Sequence, residues 1–96
     1  MEEKMSATVR IPTPLRKVTN GEDKASVEGN TMSEVVEALE NQFPGLKDRI
    51  CESTGELRSF VNVYINGEDI RFVDGMSSSV ASGDEISIVP AVAGGN

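Results

Sequence analysis

Apolar and polar residues alternate from residue 6 to residue 11. Ala7, Val9 and Ile11 share one side and Ser6, Thr8 and Arg10 the other, the two-residue period of a strand with one buried face. Pro12 and Pro14 end it, because proline cannot donate to a ladder. Asn20-Gly21 is a strong turn signal, and Ala25-Ser26-Val27 has the length of an edge strand, so a first hairpin with a roomy loop is predicted. The period then changes. Met32, Val35, Val36, Leu39 and Phe43 recur at the spacing of one helical face, whereas Glu34, Glu37, Glu40 and Asn41 fall largely elsewhere. Thr31 as N-cap with Glu34 three positions on forms a capping box, which supplies acceptors to two orphaned backbone N–H groups. Pro44-Gly45 closes the helix, since proline disfavours helical geometry before it and glycine tolerates a left-handed exit.

Leu46, Arg49 and Ile50 permit a short helical turn before Ser53-Thr54-Gly55 breaks it. The longest strand pattern covers residues 57–65, with Leu57, Val61, Val63 and Ile65 on one face and Arg58, Phe60, Asn62 and Tyr64 on the other. Asn66-Gly67-Glu68-Asp69 turns the chain into Ile70-Arg71-Phe72, read as a short partner strand, and a last strand follows over residues 85–90 with Ile86 and Ile88 inward. The order strand, strand, helix, strand, short strand, strand predicts an α+β domain: a mixed sheet of four to five strands with one main helix across one face. Residues 1–91 form that domain and residues 92–96 a flexible tail.

Composition narrows the function. A chain of 96 residues has room for one modest core. Sixteen acidic against nine basic side chains give a net charge of −7, the wrong sign for nucleic acid or an anionic membrane. If concentrated on one face, that charge would steer the chain toward a basic docking surface. One cysteine and no histidine exclude an internal disulfide, a His/Cys zinc site and histidine acid/base catalysis. Met1-Glu2-Glu3-Lys4-Met5 is charged and unlike a secretory signal, and no stretch is apolar enough to span a bilayer, so the expected location is cytoplasmic.

The sequence closes with Pro90-Ala91-Val92-Ala93-Gly94-Gly95-Asn96, small residues that follow directly from a core strand. Taken alone, such a run is a frayed terminus. Behind a strand that fixes its origin, it is also an arm: the five residues from Ala91 to Gly95 extend about 16 Å. Side-chain-free glycines can enter a narrow channel and bring a backbone carboxyl to another enzyme's reactive groups.

The capped helix beginning at Thr31, the segment Phe60-Val61-Asn62-Val63-Tyr64-Ile65-Asn66, the continuation Glu68-Asp69-Ile70-Arg71-Phe72 and the ending Ile88-Val89-Pro90-Ala91-Val92-Ala93-Gly94-Gly95 together resemble the ThiS/MoaD family of ubiquitin-like sulfur carriers, and in particular carriers of the CysO type. The resemblance covers nearly the whole chain and implies a β-grasp fold without catalysis or a bound cofactor of its own. It implies that an adenylating, E1-like enzyme uses ATP to activate the carboxylate of Gly95, and that a sulfurtransferase or other sulfur donor converts the acyl adenylate to a thiocarboxylate. Gly94, Ala93 and Val92 would thread the channel. In CysO-type systems the sulfur attacks an aminoacrylate on a pyridoxal-phosphate cysteine synthase, so cysteine is the expected end product, with molybdopterin and thiazole as alternatives. A chain that shuttles between enzymes is expected to be monomeric.

Asn96 departs from the family's ending, because it locks Gly95 in an amide that cannot be adenylated. Removal of Asn96 by a processing peptidase is the expectation; a chain that is never activated is the alternative. Phe60, Tyr64 and Val89 lie opposite the inward sets of their strands and would form a partner-docking patch beside the tail, unless the first loop or residues 46–55 cover them. Cys51 reads as a small apolar filler. Glu68-Asp69 and Asp84-Glu85 lack calcium-loop spacing and read as solvated turns, and Ser77-Ser78-Ser79 has no activating base. A protein modifier that forms isopeptide bonds, and a binding-only domain or subunit of another enzyme, remain alternatives to the carrier.

Overall fold

The computed structural model describes residues 6–90. Seven elements succeed one another: β1 (Ser6–Arg10), β2 (Lys24–Glu28), α1 (Met32–Gln42), α2 (Leu46–Ile50), β3 (Val61–Ile65), β4 (Glu68–Asp69) and β5 (Glu85–Pro90), with 3₁₀ turns at Thr13–Leu15, Ile70–Phe72 and Gly75–Ser77. The strands form one mixed sheet in the order β2-β1-β5-β3-β4. Only β1 and β5 run parallel, with Arg10 opposite Ser87; the other pairs are antiparallel. With α1 laid across one face, this is the β-grasp arrangement of ubiquitin-like domains.

The alternating positions of the strands make the core. Ala7, Val9, Val27, Val61, Val63, Ile86 and Ile88 are buried on the inner face, where Met32, Val35, Val36 and Leu39 of α1 meet them. Truncating one of the large aliphatic groups to alanine at such a site costs about 2–5 kcal/mol, because the cavity only partly collapses. Thr31 Oγ1 accepts the Glu34 N–H at 3.3 Å as predicted, but Glu34 Oε1 reaches past Thr31 to accept the Asn30 N–H at 2.8 Å. Thr31 is itself bridged to Ser79, and the Met32 N–H is taken by the carbonyl of Ser78.

Two expectations are corrected. The third strand begins at Val61 rather than at residue 57. Leu57 bridges Cys51, the Arg58 N–H donates to the Ile50 carbonyl and the Val61 N–H to the Arg58 carbonyl, both at 3.0 Å, so residues 58–61 turn. Phe60 therefore stands just outside the strand. Residues 70–72 form a 3₁₀ turn, not a strand. Asn66 and Gly67 both have positive φ (52° and 89°), as a two-residue hairpin turn requires, so pairing resumes at Glu68 and lasts two residues. Asp69 Oδ1 then accepts the Arg71 N–H at 2.9 Å and starts the 3₁₀ turn.

Two polar contacts fasten the outer parts. Glu40, on the last turn of α1, accepts the Lys47 N–H at 2.9 Å and the Gly45 N–H at 3.1 Å. These backbone bonds, to Lys47 first and then to Gly45, hold its carboxyl below the usual range. Gln42 Nε2 donates at 2.9 Å to the Ser26 carbonyl on the edge strand β2.

Candidate functional site at the end of the last strand

Pro90 is the last described residue, and its surroundings fix where the chain leaves the sheet. Because β5 lies between β1 and β3, Pro90 is held opposite Val61. The tail residues Val92, Ala93, Gly94 and Gly95, and Asn96, lie outside the described residues. Phe60, 50 % exposed, borders a shallow depression with Pro14, Leu15, Asp48, Arg49, Arg58 and Pro90. Both segments proposed to cover Phe60 border it, but half of its surface remains open.

Val89 is 45 % exposed on the outer face of the sheet, opposite Asn62, and Tyr64 is half-buried two pairs further along, opposite Ser87 and Asp69. The expected triad is thus divided. Phe60 belongs to the depression at the strand's end, and Val89 and Tyr64 to the sheet's outer face.

Sequence reasoning missed the arginines that join these two parts. Arg71 donates from Nη1 to Asn62 Oδ1 at 2.7 Å and from Nη2 to the Arg58 carbonyl at 2.8 Å. Arg58 Nε in turn donates to the Asp48 carbonyl at 2.8 Å. These bonds tie α2, the turn before β3 and the 3₁₀ turn after β4 into one frame around the strand's exit. No periodic signal announces this, because Arg49, Arg58 and Arg71 come from three segments that meet only in the fold.

The opposite end of β5 is acidic and closed. Asn66 Nδ2 donates to Asp84 Oδ1 and Asn66 Oδ1 accepts the Glu85 N–H, both at 2.9 Å, while Asp84 Oδ2 accepts the Ala81 N–H at 2.8 Å. Glu85 is ion-paired with Arg10. The carboxylates of Asp84 and Asp69 are thus structural acceptors rather than merely solvated.

Among the described residues no group of three or more His, Cys, Asp or Glu converges as a metal site, and no helix is long and apolar enough to cross a membrane. Cys51 is buried, and burial pushes its thiol pKa up even though Lys47 and Arg58 act in the other direction. The thiol is a core filler. Ser78 is buried, with Oγ accepting the Asp74 N–H at 3.2 Å, so it too serves the fold.

The model of the ThiS family matches residues 9–95. The chain belongs to the ThiS family. Within it, the sulfur carrier protein CysO of Mycobacterium tuberculosis is 44% identical over 93 residues, covering 95% of this chain and 100% of the relative. Its crystal structure superposes with a TM-score of 0.85 at 41% identity, covering 90% of this chain and 99% of that one. CysO in the Amycolatopsis orientalis BexX/CysO complex is similar at a TM-score of 0.88 and 42% identity, over 92% of this chain and 98% of that one. Small archaeal modifier protein 3 of Haloferax volcanii is 40% identical over 65 residues, covering 68% of this chain and 70% of the relative. As a ThiS family member, this chain shares the β-grasp body of the CysO structures, and its family match runs through Gly95 and leaves Asn96 outside.

Proposed function

We propose that the chain is a sulfur carrier that bears its sulfur as a thiocarboxylate on Gly95 and delivers it for cysteine synthesis. The observation that carries this reading is the family match ending at Gly95, on a chain whose last strand leaves the sheet next to an open, partly apolar rim. The carboxylate of Gly95 attacks the α-phosphorus of ATP on an adenylating partner, pyrophosphate leaves, and the acyl adenylate forms. A sulfur donor then displaces AMP, which a free carboxylate could not provide as a leaving group. The amide between Gly95 and Asn96 has to be hydrolysed first, by a processing peptidase. Phe60, Val89 and Tyr64 serve partner docking, and Val92, Ala93 and Gly94 span the partner's channel. A pyridoxal-phosphate cysteine synthase then accepts the sulfur, a step supported by the likeness to CysO over nearly the full length.

The test is to incubate chain ending at Gly95 with ATP, a sulfide source and the activating enzyme of the same organism, followed by intact-mass spectrometry. The expected product has one oxygen replaced by sulfur, and chain retaining Asn96 stays unchanged. Lysine-linked adducts as the sole product would instead establish isopeptide modification, the second reading, which the likeness to the archaeal modifier favours.

A further inference from the structure

The chain's net charge of −7 points to a partner with a basic surface, but docking is decided by the charges around the residue-90 end, where the tail must enter. At ordinary ionic strength, charges more than about 8–10 Å away are largely screened. Around Phe60 and Pro90 stand the guanidinium groups of Arg49 and Arg58, against the single carboxylate of Asp48. Arg71 adds a third cation, since its hydrogen bonds go to neutral acceptors, Asn62 Oδ1 and the Arg58 carbonyl. Glu56 and Asp74 lie beside Arg71 in a neighbouring depression. Among the described residues the ion pairs within 4.0 Å are Arg10 with Glu85 and Lys47 with Glu37, so Arg49, Arg58 and Arg71 keep their charge unpaired. Arg49 is also exposed. The acidic Glu37 and Glu40 of α1 are engaged by α2, Glu37 by the Lys47 ammonium and Glu40 by the Lys47 and Gly45 N–H groups.

We propose that this rim docks onto an activating partner whose cleft mouth presents carboxylates around an apolar socket for Phe60. The geometry suits such a mouth: a half-exposed aromatic anchor with guanidinium groups beside it is the composition favoured at interface centres. Opposed charges at the rim also raise the rate of productive encounter and fix the tail's approach. This rests on the carrier reading above.

The experiment is ATP–pyrophosphate exchange by the same organism's activating enzyme with chain ending at Gly95, measured against carrier concentration. Arg49→Glu is expected to raise KM about tenfold with kcat unchanged, and the KM of the unaltered chain to rise with added potassium chloride. Glu28→Arg, a charge change of equal size on the exposed edge of β2, is expected to leave KM within about twofold, as a remote screened charge should. Far-ultraviolet circular dichroism of both variants establishes that each is folded. If folded Arg49→Glu keeps or lowers the KM, or if Glu28→Arg moves it as much, the rim proposal is overturned while the carrier reading stands. Absence of any exchange with chain ending at Gly95 would overturn the carrier reading, and the docking proposal with it.

Discussion

The two ends of β5 are built on opposite plans. At the Glu85 end, side-chain polar groups are spent on the chain itself: Asn66, Asp84 and Glu85 bond one another and the neighbouring backbone, and Arg10 pairs with Glu85. At the Pro90 end, Arg58 and Arg71 also bond the chain, but Phe60 and Val89 are left half in solvent and Arg49 has no ion-pair partner among the described residues. One end is closed by polar bonds and the other keeps apolar surface open. Satisfied polar groups stabilise the native state, whereas exposed apolar and unpaired charged groups gain free energy only when something covers them. Under the proposed docking, a single strand separates the work of staying folded from the work of meeting a partner.

That separation can be broken from either side. Deleting Gly94 and Gly95 from processed chain is expected to abolish thiocarboxylate formation, read by intact mass, while the thermal unfolding midpoint stays within error; a large fall in the midpoint would show that the open end carries the fold as well. Asn66→Gly keeps a residue suited to positive φ but removes the bonds to Asp84 and Glu85. It should cost about 1–2 kcal/mol in urea unfolding and leave KM for activation unchanged. The smallest effect concerns Glu40, which holds the start of α2. Its carboxyl is held below its ordinary value of 4.5 by the bonds from Lys47 and Gly45. A depressed pKa in the folded state means that its stabilisation is fully present above that ordinary value and is lost as pH falls through the lower folded one. Glu40→Gln should therefore be less stable than the unaltered chain at pH 7, and the gap should narrow below pH 4.5; a gap that is constant from pH 7 to strongly acidic solution would mean that the charge plays no part.

Much of this body was legible because its signals are local and periodic. Ala7, Val9 and Ile11 alternate, Met32 to Leu39 repeats at helical spacing, and Thr31 with Pro44-Gly45 marks the helix's ends; all of these residues stand where the pattern placed them. The two strand errors share one cause. Apolar residues at 57, 70 and 72 read as strand, but Leu57 packs from an isolated bridge to Cys51 and Ile70 from a 3₁₀ turn, and these are set by hydrogen bonds at Arg58 and Asp69 that no period reports. Phe60 is exposed from the turn before β3, whereas Val89 was identifiable as an outward position from alternation alone. The arginine frame was not, because Arg49, Arg58 and Arg71 are brought together only by tertiary contacts. The tail's chemistry came from likeness to a family rather than from any pattern, since a run of small residues is silent about what it reacts with.

The hydrogen bond from Gln42 to the Ser26 carbonyl also bears on the outer margin of the sheet. An unguarded outer strand invites a neighbouring molecule to add its own backbone and begin a growing fibril. Here one acceptor on β2 is already occupied by a helix side chain, and the opposite margin of the sheet, β4, is only two residues long. One border is thus partly occupied, and the other is too short to template a long added strand.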